Sequence, residues 1–490
     1  MKVALVLTPA WSREMPHLAI AILSSILKQE GHQVFNFDLN NFFYRKCKEE
    51  YKIKWSKEHD FSWTKEEFVS EFILEHDQLI NQTVTEILDT GAKIIGFSVY
   101  FPTELMSLEL ARKIKEVDKD RIIVFGGPQC LRENNGKSLI EKRQIDAVVI
   151  GEGDLIFPEL LEITQNSDKF DFCRGTLLKK EQKIIDCGDR EPITNLDIFP
   201  FPDFTDFNIY EYERPYSIPV LFSRGCIQKC VYCSVNNSWK TYRSLSGERM
   251  FKEIDYQLDN FKDVNSIEFY DPLINGDIKE LYLFCNMVIN AVKNKKIRPI
   301  QWRGEAIIRS EMTAELLSKM RQAGCCQLTY GIESGSQKVL NKMRKGYNIK
   351  YAQDVLRNTH EAGIYVSANF MFGFPTETRD DFLETMSFLK TNYKFIDEIN
   401  PSESFCFIYK DTYLYNHAEE FRLASDPDTR FWESIDAENN FLERMRRFEE
   451  FCELALSLKI KIGAGYNKVK TNKNKDLEMY AVHRNRILGA

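Results

Sequence analysis

The sequence predicts an α/β protein built from two successive series of strand and helix units, followed by a helical C-terminal region. Short apolar runs alternate with segments of helical spacing at the start of the chain, and the same alternation resumes near residue 216. Polar or glycine-rich residues follow most of the predicted strands. We predict a doubly wound parallel sheet at 1–165 with an insertion near 40–75, a hairpin and proline-containing linker at 166–215, a partial (β/α)6 barrel at 216–415, and a helical region at 416–490.

Composition excludes several classes of protein. The 490-residue chain is 43% hydrophobic, but it contains no apolar run of the roughly 20 residues that a membrane-spanning helix needs. Its net charge of -7 argues against a sequence-independent nucleic-acid binder, which would carry a basic excess. Twelve cysteines without a secretory segment indicate a reducing compartment, so we expect a cytoplasmic location without nucleic-acid partners or a membrane span.

The first region reads as five buried strands with helices between them. The strands are predicted at 3–7, 34–37, 94–99, 122–125 and 147–150, and the clearest helices at 17–29 and 106–116. The insertion near 40–75 is rich in aromatic residues. It is equally consistent with a cover for a ligand face and with packed decoration, because an ordinary connection needs only about 2–6 residues.

Unusual residues collect where the strands of this first sheet end. Ligands of open parallel sheets bind beyond the carboxyl ends of the strands, where glycine lets a large planar molecule approach the backbone. The candidate ligand contacts of this region are Pro9, Ser98, Gly126, Gly127, Pro128, Gly151 and Glu152. Taken singly, each of these positions is an ordinary turn residue.

The second series of strands follows a predicted hairpin at 175–187 and a stretch punctuated by prolines. Its six strands are predicted at 218–222, 266–269, 300–302, 327–332, 366–371 and 398–407, and a clear amphipathic helix at 314–323. Reactive groups of parallel barrels stand at the carboxyl ends of the strands. The residues at these ends are Asp271, Arg303, Glu333, Ser334 and Gly373. For Asp271 and Arg303, a structural salt bridge is about as plausible as a ligand contact.

The most informative feature is the spacing Cys226-x3-Cys230-x2-Cys233 on a loop that begins with a glycine. Three thiolates can hold three corners of a cubane iron-sulfur cluster and leave the fourth iron open. A structural zinc site is the first alternative, but it normally needs four ligands, and the adjacent stretch has no fourth cysteine and no histidine. A disulfide framework is weaker still in a chain without a secretory signal.

The cysteine loop, with Tyr232 directly before its last cysteine, resembles the cluster loop of the radical S-adenosylmethionine (SAM) superfamily. The resemblance implies a [4Fe-4S] cluster on the three cysteines that cleaves SAM to a 5'-deoxyadenosyl radical, with Tyr232 against the adenine. The Gly-Ile-Glu-Ser segment at Glu333 and Ser334 is similar to the superfamily segment whose glutamate binds the SAM ribose. The turn at Gly373 resembles one near the adenine.

The glycine-rich strand ends before this barrel resemble the cobalamin-binding, Rossmann-like domain of the cobalamin-dependent radical SAM enzymes. One feature departs from many cobalamin modules, because no Asp-x-His-x-x-Gly motif follows the first strand. Its histidine would ligate cobalt from below, a ligand that is often missing in the radical SAM branch. His17 is the imidazole closest along the chain, and its place after Pro16 favours a helix start over a cobalt ligand.

These resemblances imply a cobalamin-dependent C-methyltransferase that acts on an unactivated carbon of a small or peptidic metabolite. An external electron donor such as flavodoxin or ferredoxin would be a partner. A non-methylating ring closure, rearrangement or oxidation stays open, as does a non-catalytic cobalamin sensor or electron-transfer protein. Methylthiotransfer is disfavoured, because that family needs three further cysteines near the N-terminus and only Cys47 and Cys130 lie in the first 165 residues.

Overall fold

The computed structural model describes residues 1–131, 135–167, 172–180 and 183–488. The chain divides into two compact units. The first comprises 1–219 and 256–264, and the second comprises 220–255 and 265–490. Each unit contains one seven-stranded sheet, and the boundary between the units falls within the first strand of the second sheet.

The first sheet has the strand order β2-β1-β3-β4-β5-β6-β7. Its strands are β1 (Lys2–Leu7), β2 (Gln33–Asp38), β3 (Ile94–Ser98), β4 (Ile122–Gly126), β5 (Ala147–Val149), β6 (Thr176–Lys180) and β7 (Lys183–Asp186). The pairs among β1 to β5 are parallel, whereas β6 and β7 pair antiparallel at one edge. The five predicted strands are therefore present, and the predicted hairpin extends their sheet.

Helices of the first unit follow the strands in alternation. They are α1 (Leu18–Gln29), α2 (Leu39–Lys46), α3 (Glu49–Lys52), α4 (Glu66–Glu75), α5 (Asp77–Asp89), α6 (Glu104–Val117), α7 (Lys137–Glu141) and α8 (Gly153–Ser167). Helices α2 to α4 occupy the predicted insertion. Their aromatic side chains Phe43, Trp63 and Phe72 are fully buried in one hydrophobic cluster with strand residues such as Phe97. The insertion thus contributes to the core of the first unit.

The second sheet has the order β16-β15-β14-β13-β12-β11-β8. Its strands are β8 (Ser217–Val220), β11 (Ser266–Phe269), β12 (Gln301–Ala306), β13 (Cys325–Glu333), β14 (Tyr365–Phe370), β15 (Glu398–Pro401) and β16 (Lys461–Ile462), while β9 (Ser223–Arg224) and β10 (Arg243–Ser244) form a separate antiparallel pair. The pairs from β11 to β16 are parallel. An incomplete α/β barrel of this topology agrees with the predicted fold class.

Helices again connect the strands of the second series. They are α9 (Val235–Ser238), α10 (Gly247–Asn260), α11 (Ile278–Lys293), α12 (Ala314–Gln322), α13 (Gln337–Met343), α14 (Ile349–Glu361), α15 (Arg379–Asn392), α16 (Tyr413–Asn416), α17 (Phe441–Ser457) and α18 (Gly465–Leu488). Strand residues alternate between a buried face and a partly exposed face, as in β13, where Leu328, Tyr330 and Ile332 are buried. The other face carries the polar side chains.

The C-terminal region differs from the prediction of helices alone. Between α17 and α18 it contributes β16, which pairs in parallel with β15 as an additional strand of the second sheet. Two residues are too few to show a periodicity, so this strand leaves no sequence signal. Among the described helices, none combines the length and hydropathy that crossing a bilayer requires.

Candidate active site

The cysteine loop follows β9 and lies between the two short paired strands β9 and β10 of the second unit. Gly225 precedes the first cysteine with φ of +80°, and a Cβ at this position would lie 2.5 Å from the carbonyl oxygen of Thr241. Only glycine fits such a turn. Cys226, Cys230 and Cys233 are all free and partly exposed, whereas eight of the other nine cysteines of the chain are buried.

The three thiols are not arranged around one point. Within the described residues, no three metal-ligating side chains converge closely enough to hold a single ion. A cubane cluster binds each thiolate on a different iron, so its ligands stand farther apart than those of one zinc ion. Burial raises the pKa of Cys230 to about 11, and burial also raises the pKa of Cys233. Thiols of this kind lose their protons when a metal binds. Three thiol donors on one short loop are the ligand type that iron-sulfur clusters use.

Asp271 anchors the start of this loop. Its buried carboxylate accepts hydrogen bonds from the backbone N–H of Phe222, at 2.9 Å, and from that of Ser223. The Ser223 hydroxyl donates to the carbonyl oxygen of Leu273 at 2.8 Å. Burial raises the pKa of Asp271 to about 7, while the hydrogen bonds oppose the shift. In the structure, the Asp271 side chain therefore hydrogen-bonds to the backbone at the start of the loop. Its direct contact with a cofactor stays a prediction.

Glu333 ends β13 beside the cysteine loop. Its backbone is left-handed, with φ of +66°, and its Oε1 lies 3.4 Å from Nζ of Lys345. The hydroxyl of Tyr232 also forms a hydrogen bond with this carboxylate. A Cβ at Gly331 would lie 2.9 Å from Glu333 Oε1 and 3.1 Å from Lys345 Nζ, so glycine leaves the space that the ion pair fills. The structure brings two predicted site residues, Tyr232 and Glu333, into contact.

The charges of this group follow from its surroundings. Burial lowers the pKa of Lys345, but the Glu333 carboxylate, together with the neighbouring Cys230 and Cys233, outweighs that effect and raises the pKa overall. Burial, reinforced by Glu333, holds the pKa of Tyr232 well above its usual range. Lys345 is therefore a cation and Tyr232 a neutral donor at neutral pH. Lys345 was not identified as a site residue from the sequence.

Two further predicted residues shape the turns beyond β13 and β14. The buried Ser334 hydroxyl lies 3.1 Å from Thr385 Oγ1 and accepts from the backbone N–H of Ser336 at 3.1 Å. Gly373 has φ of +69°, and its N–H donates to Glu377 Oε2 at 2.7 Å. Both residues hold backbone conformation in the structure, and their contacts with SAM stay predictions.

Arg303 and Glu305 lie on the partly exposed face of β12. Arg303 forms an ion pair with Glu268 on the neighbouring strand, with Nε 2.5 Å from Oε1. Part of the Glu305 residue is accessible to solvent, but protein groups surround its carboxyl group. Burial, and to a smaller extent repulsion from Glu333 and Glu268, raises the pKa of Glu305 to about 7. Arg303 therefore forms a salt bridge, which was one of the two roles left open by the sequence. The sequence assigned no role to Glu305.

The predicted residues of the first unit all follow the carboxyl ends of its parallel strands. Gly127 has φ of +106°, and a Cβ there would lie 2.8 Å from the carbonyl oxygen of Val99. Gly151 has φ of +90° with open space around its Cα. The remaining members are Pro9, Ser98, Gly126, Pro128 and Glu152. Gly151 therefore leaves the kind of open space at this edge that a large planar ligand requires.

A hydrogen-bonded group stands beside these positions. His17 caps α1, its Nδ1 accepts from the N–H of Ile20, and its Nε2 lies 3.0 Å from the Tyr100 hydroxyl, which also bonds Ser98. The Trp11 ring lies 3.8 Å from the Tyr100 ring, centroid to centroid. Burial lowers the pKa of His17 to about 4, so the imidazole is neutral. Both ring nitrogens are engaged, as expected for a helix start.

Comparison with known proteins identifies the class of the second unit. Residues 220–389 match the radical SAM superfamily. An uncharacterized methyltransferase of Pyrococcus horikoshii is 26% identical over 301 residues, covering 61% of this chain and 64% of the relative. An anaerobic magnesium-protoporphyrin IX monomethyl ester cyclase of Synechocystis sp. is 26% identical over 304 residues, covering 60% of this chain and 58% of the relative. These matches span less than two thirds of either relative.

Two solved structures share the fold over most of the chain. The cobalamin-dependent SAM radical enzyme OxsB, with aqua-cobalamin bound, superposes with a TM-score of 0.63 at 20% identity, covering 86% of this chain and 56% of OxsB. The radical SAM methyltransferase TsrM of Kitasatospora setae, with tryptophan and a SAM analogue bound, superposes with a TM-score of 0.63 at 16% identity. The superposition covers 82% of this chain and 72% of TsrM.

The second unit thus combines an incomplete α/β barrel with a three-cysteine loop between β9 and β10. Residues 220–389 match the radical SAM superfamily, and the chain shares its overall fold with the cobalamin-dependent SAM radical enzyme OxsB.

Proposed function

We propose that this protein is a cobalamin-dependent radical SAM enzyme that methylates an unactivated carbon of a small or peptidic metabolite. The observation that carries the proposal is the association of a three-cysteine loop with the buried Glu333, Lys345 and Tyr232 in one unit. Three thiols leave one iron of a [4Fe-4S] cluster open. The Glu333 carboxylate can accept hydrogen bonds from two vicinal hydroxyls, as a ribose offers.

Each residue of the group has a definable task. Cys226, Cys230 and Cys233 would hold the cluster, and Asp271 fixes the backbone from which their loop departs. Lys345 holds the Glu333 carboxylate in place through an ion pair. When bound, the cluster and SAM would supply reductive cleavage of SAM to a 5'-deoxyadenosyl radical, and cobalamin would supply a methyl group.

Cobalamin binding is supported by the fold of the first unit and by its strand ends. Gly151 leaves open space for a planar macrocycle, Gly126 and Gly127 present no side chain to it, and the neighbouring Ser98 and Glu152 offer polar atoms to its periphery. OxsB, whose fold the chain shares, has been solved with cobalamin bound. An external electron donor such as flavodoxin or ferredoxin would complete the system, because the chain carries no second cluster motif.

The first experiment is anaerobic purification followed by iron, cobalt and optical analysis. We expect about four irons and about one cobalt per chain after reconstitution with both cofactors. Iron without cobalt would remove the roles proposed for Ser98, Gly127 and Glu152. Turnover with SAM that carries a deuterated methyl group then tests the reaction, because a methyltransferase must place the label in its product.

A second candidate is a ring closure or oxidation that uses the same cofactors, and the similarity to an anaerobic cyclase favours it among the alternatives. Unlabelled product from deuterated SAM would select this candidate. Methylthiotransfer is disfavoured, although a putative methylthiotransferase of Methanocaldococcus jannaschii is 24% identical over 324 residues, covering 62% of this chain and 66% of that relative. Cys47 and Cys130, the cysteines available near the N-terminus, are buried with raised thiol pKa values. A non-catalytic sensor would bind cobalamin and never release 5'-deoxyadenosine.

A further inference from the structure

The turn at 372–375 lies directly beside Glu333. It follows β14, whose Phe370 is paired with Glu333 across the sheet, and the N–H of Met371 donates to the carbonyl oxygen of Glu333 at 3.0 Å. Any displacement of this turn would therefore reach the residue proposed to bind the ribose of SAM. The side chains that hold the turn come from a different part of the chain.

Asn439, in the C-terminal region, forms two hydrogen bonds with the turn through its side-chain amide. Its Nδ2 donates to the carbonyl oxygens of Gly373, at 3.1 Å, and of Phe374, at 3.0 Å. Asn439 is itself buried and fixed by Ser434, whose hydroxyl accepts from the Asn439 N–H at 3.0 Å. One side chain thus satisfies two successive carbonyl groups of the turn.

Arg447, in α17, contacts the end of the turn through Glu377. Its Nη1 lies 2.7 Å from Glu377 Oε2, and the same carboxylate accepts from the Gly373 N–H at 2.7 Å. Both side chains of the ion pair are at most 4% exposed, so the pair acts without solvent screening. Arg447 also donates to the carbonyl oxygen of Glu377 at 3.2 Å.

Arg444 closes the space behind the turn. Its fully buried guanidinium lies 3.8 Å from the centre of the Trp432 ring, and a Cβ at Gly373 would lie 2.3 Å from Arg444 Cγ. The backbone of Gly373 therefore packs against the C-terminal region without room for a methyl group. Side chains thus contact the turn at three places. Glu377 accepts from the Gly373 N–H, Asn439 donates to the carbonyl oxygens of Gly373 and Phe374, and Arg444 packs against the Cα of Gly373.

We propose that Asn439 and Arg447 are positioning residues that hold the 372–375 turn in the shape required for SAM binding beside Glu333. The inference rests on the proposed function, since it assumes that SAM occupies the Glu333 group. It assigns to the C-terminal region a task in binding SAM that its sequence does not signal. The hydrogen bonds described for Asn439 and Arg447 go to the turn and its neighbours and not to the three cysteines, so their replacement is expected to change SAM affinity and not iron content.

The test compares hydrogen exchange and SAM affinity in the anaerobic, reconstituted full chain. In the wild-type protein, SAM is expected to slow exchange in the peptides that cover 370–378 and 436–447 as well as in the cysteine loop. Asn439→Ala and Arg447→Lys are each expected to weaken SAM binding about tenfold, with unchanged iron content and cluster absorption. Asn290→Ala, on the exposed face of α11, and Arg446→Lys, an exposed neighbour in α17, are the matched controls.

The outcomes separate this inference from the proposed function. If SAM protects the cysteine loop but neither of the other two segments, the inference is overturned, and this result needs no variant to fold. SAM affinity within twofold of wild type in the folded variants would also overturn it. If the wild-type protein binds no SAM at all, the proposed function itself fails.

Discussion

Lys345 Nζ lies 3.4 Å from Glu333 Oε1, and both side chains are largely enclosed by protein. Removing one partner of a buried pair leaves an uncompensated charge, so replacing either residue is expected to disturb the other. The pair also stands beside Tyr232, in the cysteine loop, which joins the loop to the end of β13. This contact makes Glu333 the residue whose replacement is most informative about SAM binding.

Glu333→Gln is expected to weaken SAM binding by about 10- to 100-fold, because hydrogen bonds to a charged group are worth roughly 1.5–3 kcal/mol. The amide keeps the shape of the side chain but can no longer accept bonds through two equivalent oxygens. Equilibrium binding to the reconstituted protein measures the effect. Glu384→Gln, at an exposed position of α15, is the control. Equal SAM affinity in Glu333→Gln and the control would refute the role of Glu333.

Asp271→Asn is expected to reduce both stability and cluster retention. The carboxylate accepts from two backbone N–H groups, whereas the amide must turn its own donor toward one of them. A buried donor left without an acceptor costs about 1–3 kcal/mol. Urea unfolding and the rate of iron loss to a chelator measure the two effects. A variant that unfolds and loses iron as wild type does would show that Asp271 does not position the loop.

His17 gives a prediction about pH. Burial lowers its pKa from 6.5 to about 4, so between these values the unfolded chain takes up a proton that the folded chain does not. Stability is therefore lost as the pH falls from about 6.5 toward 4. Between pH 7.5 and 5.5, wild type is expected to lose about 1 kcal/mol more than His17→Asn, which keeps a helix cap. Urea unfolding at the two pH values measures this difference, and identical losses would contradict it.

Local sequence patterns predicted the strands and their ends well, because buried parallel strands are continuous apolar runs. Long-range pairing was not predictable in the same way. The hairpin β6–β7 was placed in a linker, but its pairing with β5 makes it part of the first sheet. The role of Asp271 as an acceptor for the backbone of residue 222 also depends on contacts 49 positions apart.

The candidate site shows the same division. Spacing alone identified the three cysteines, and resemblance identified Tyr232 and Glu333, which the structure brings together. Lys345, Asn439 and Arg447 were not identified, because a buried lysine, asparagine or arginine has no periodic signature. Their contacts become visible only when the C-terminal region is folded against β14.

The most direct test is electron paramagnetic resonance of the reduced, reconstituted protein with and without SAM. An open iron is expected to bind SAM and change the signal of a [4Fe-4S] cluster, and Cys226→Ala, Cys230→Ala or Cys233→Ala should each abolish that cluster, whereas Cys285→Ala should not. A cluster signal that SAM leaves unchanged, or one that survives loss of these cysteines, would contradict the proposed site.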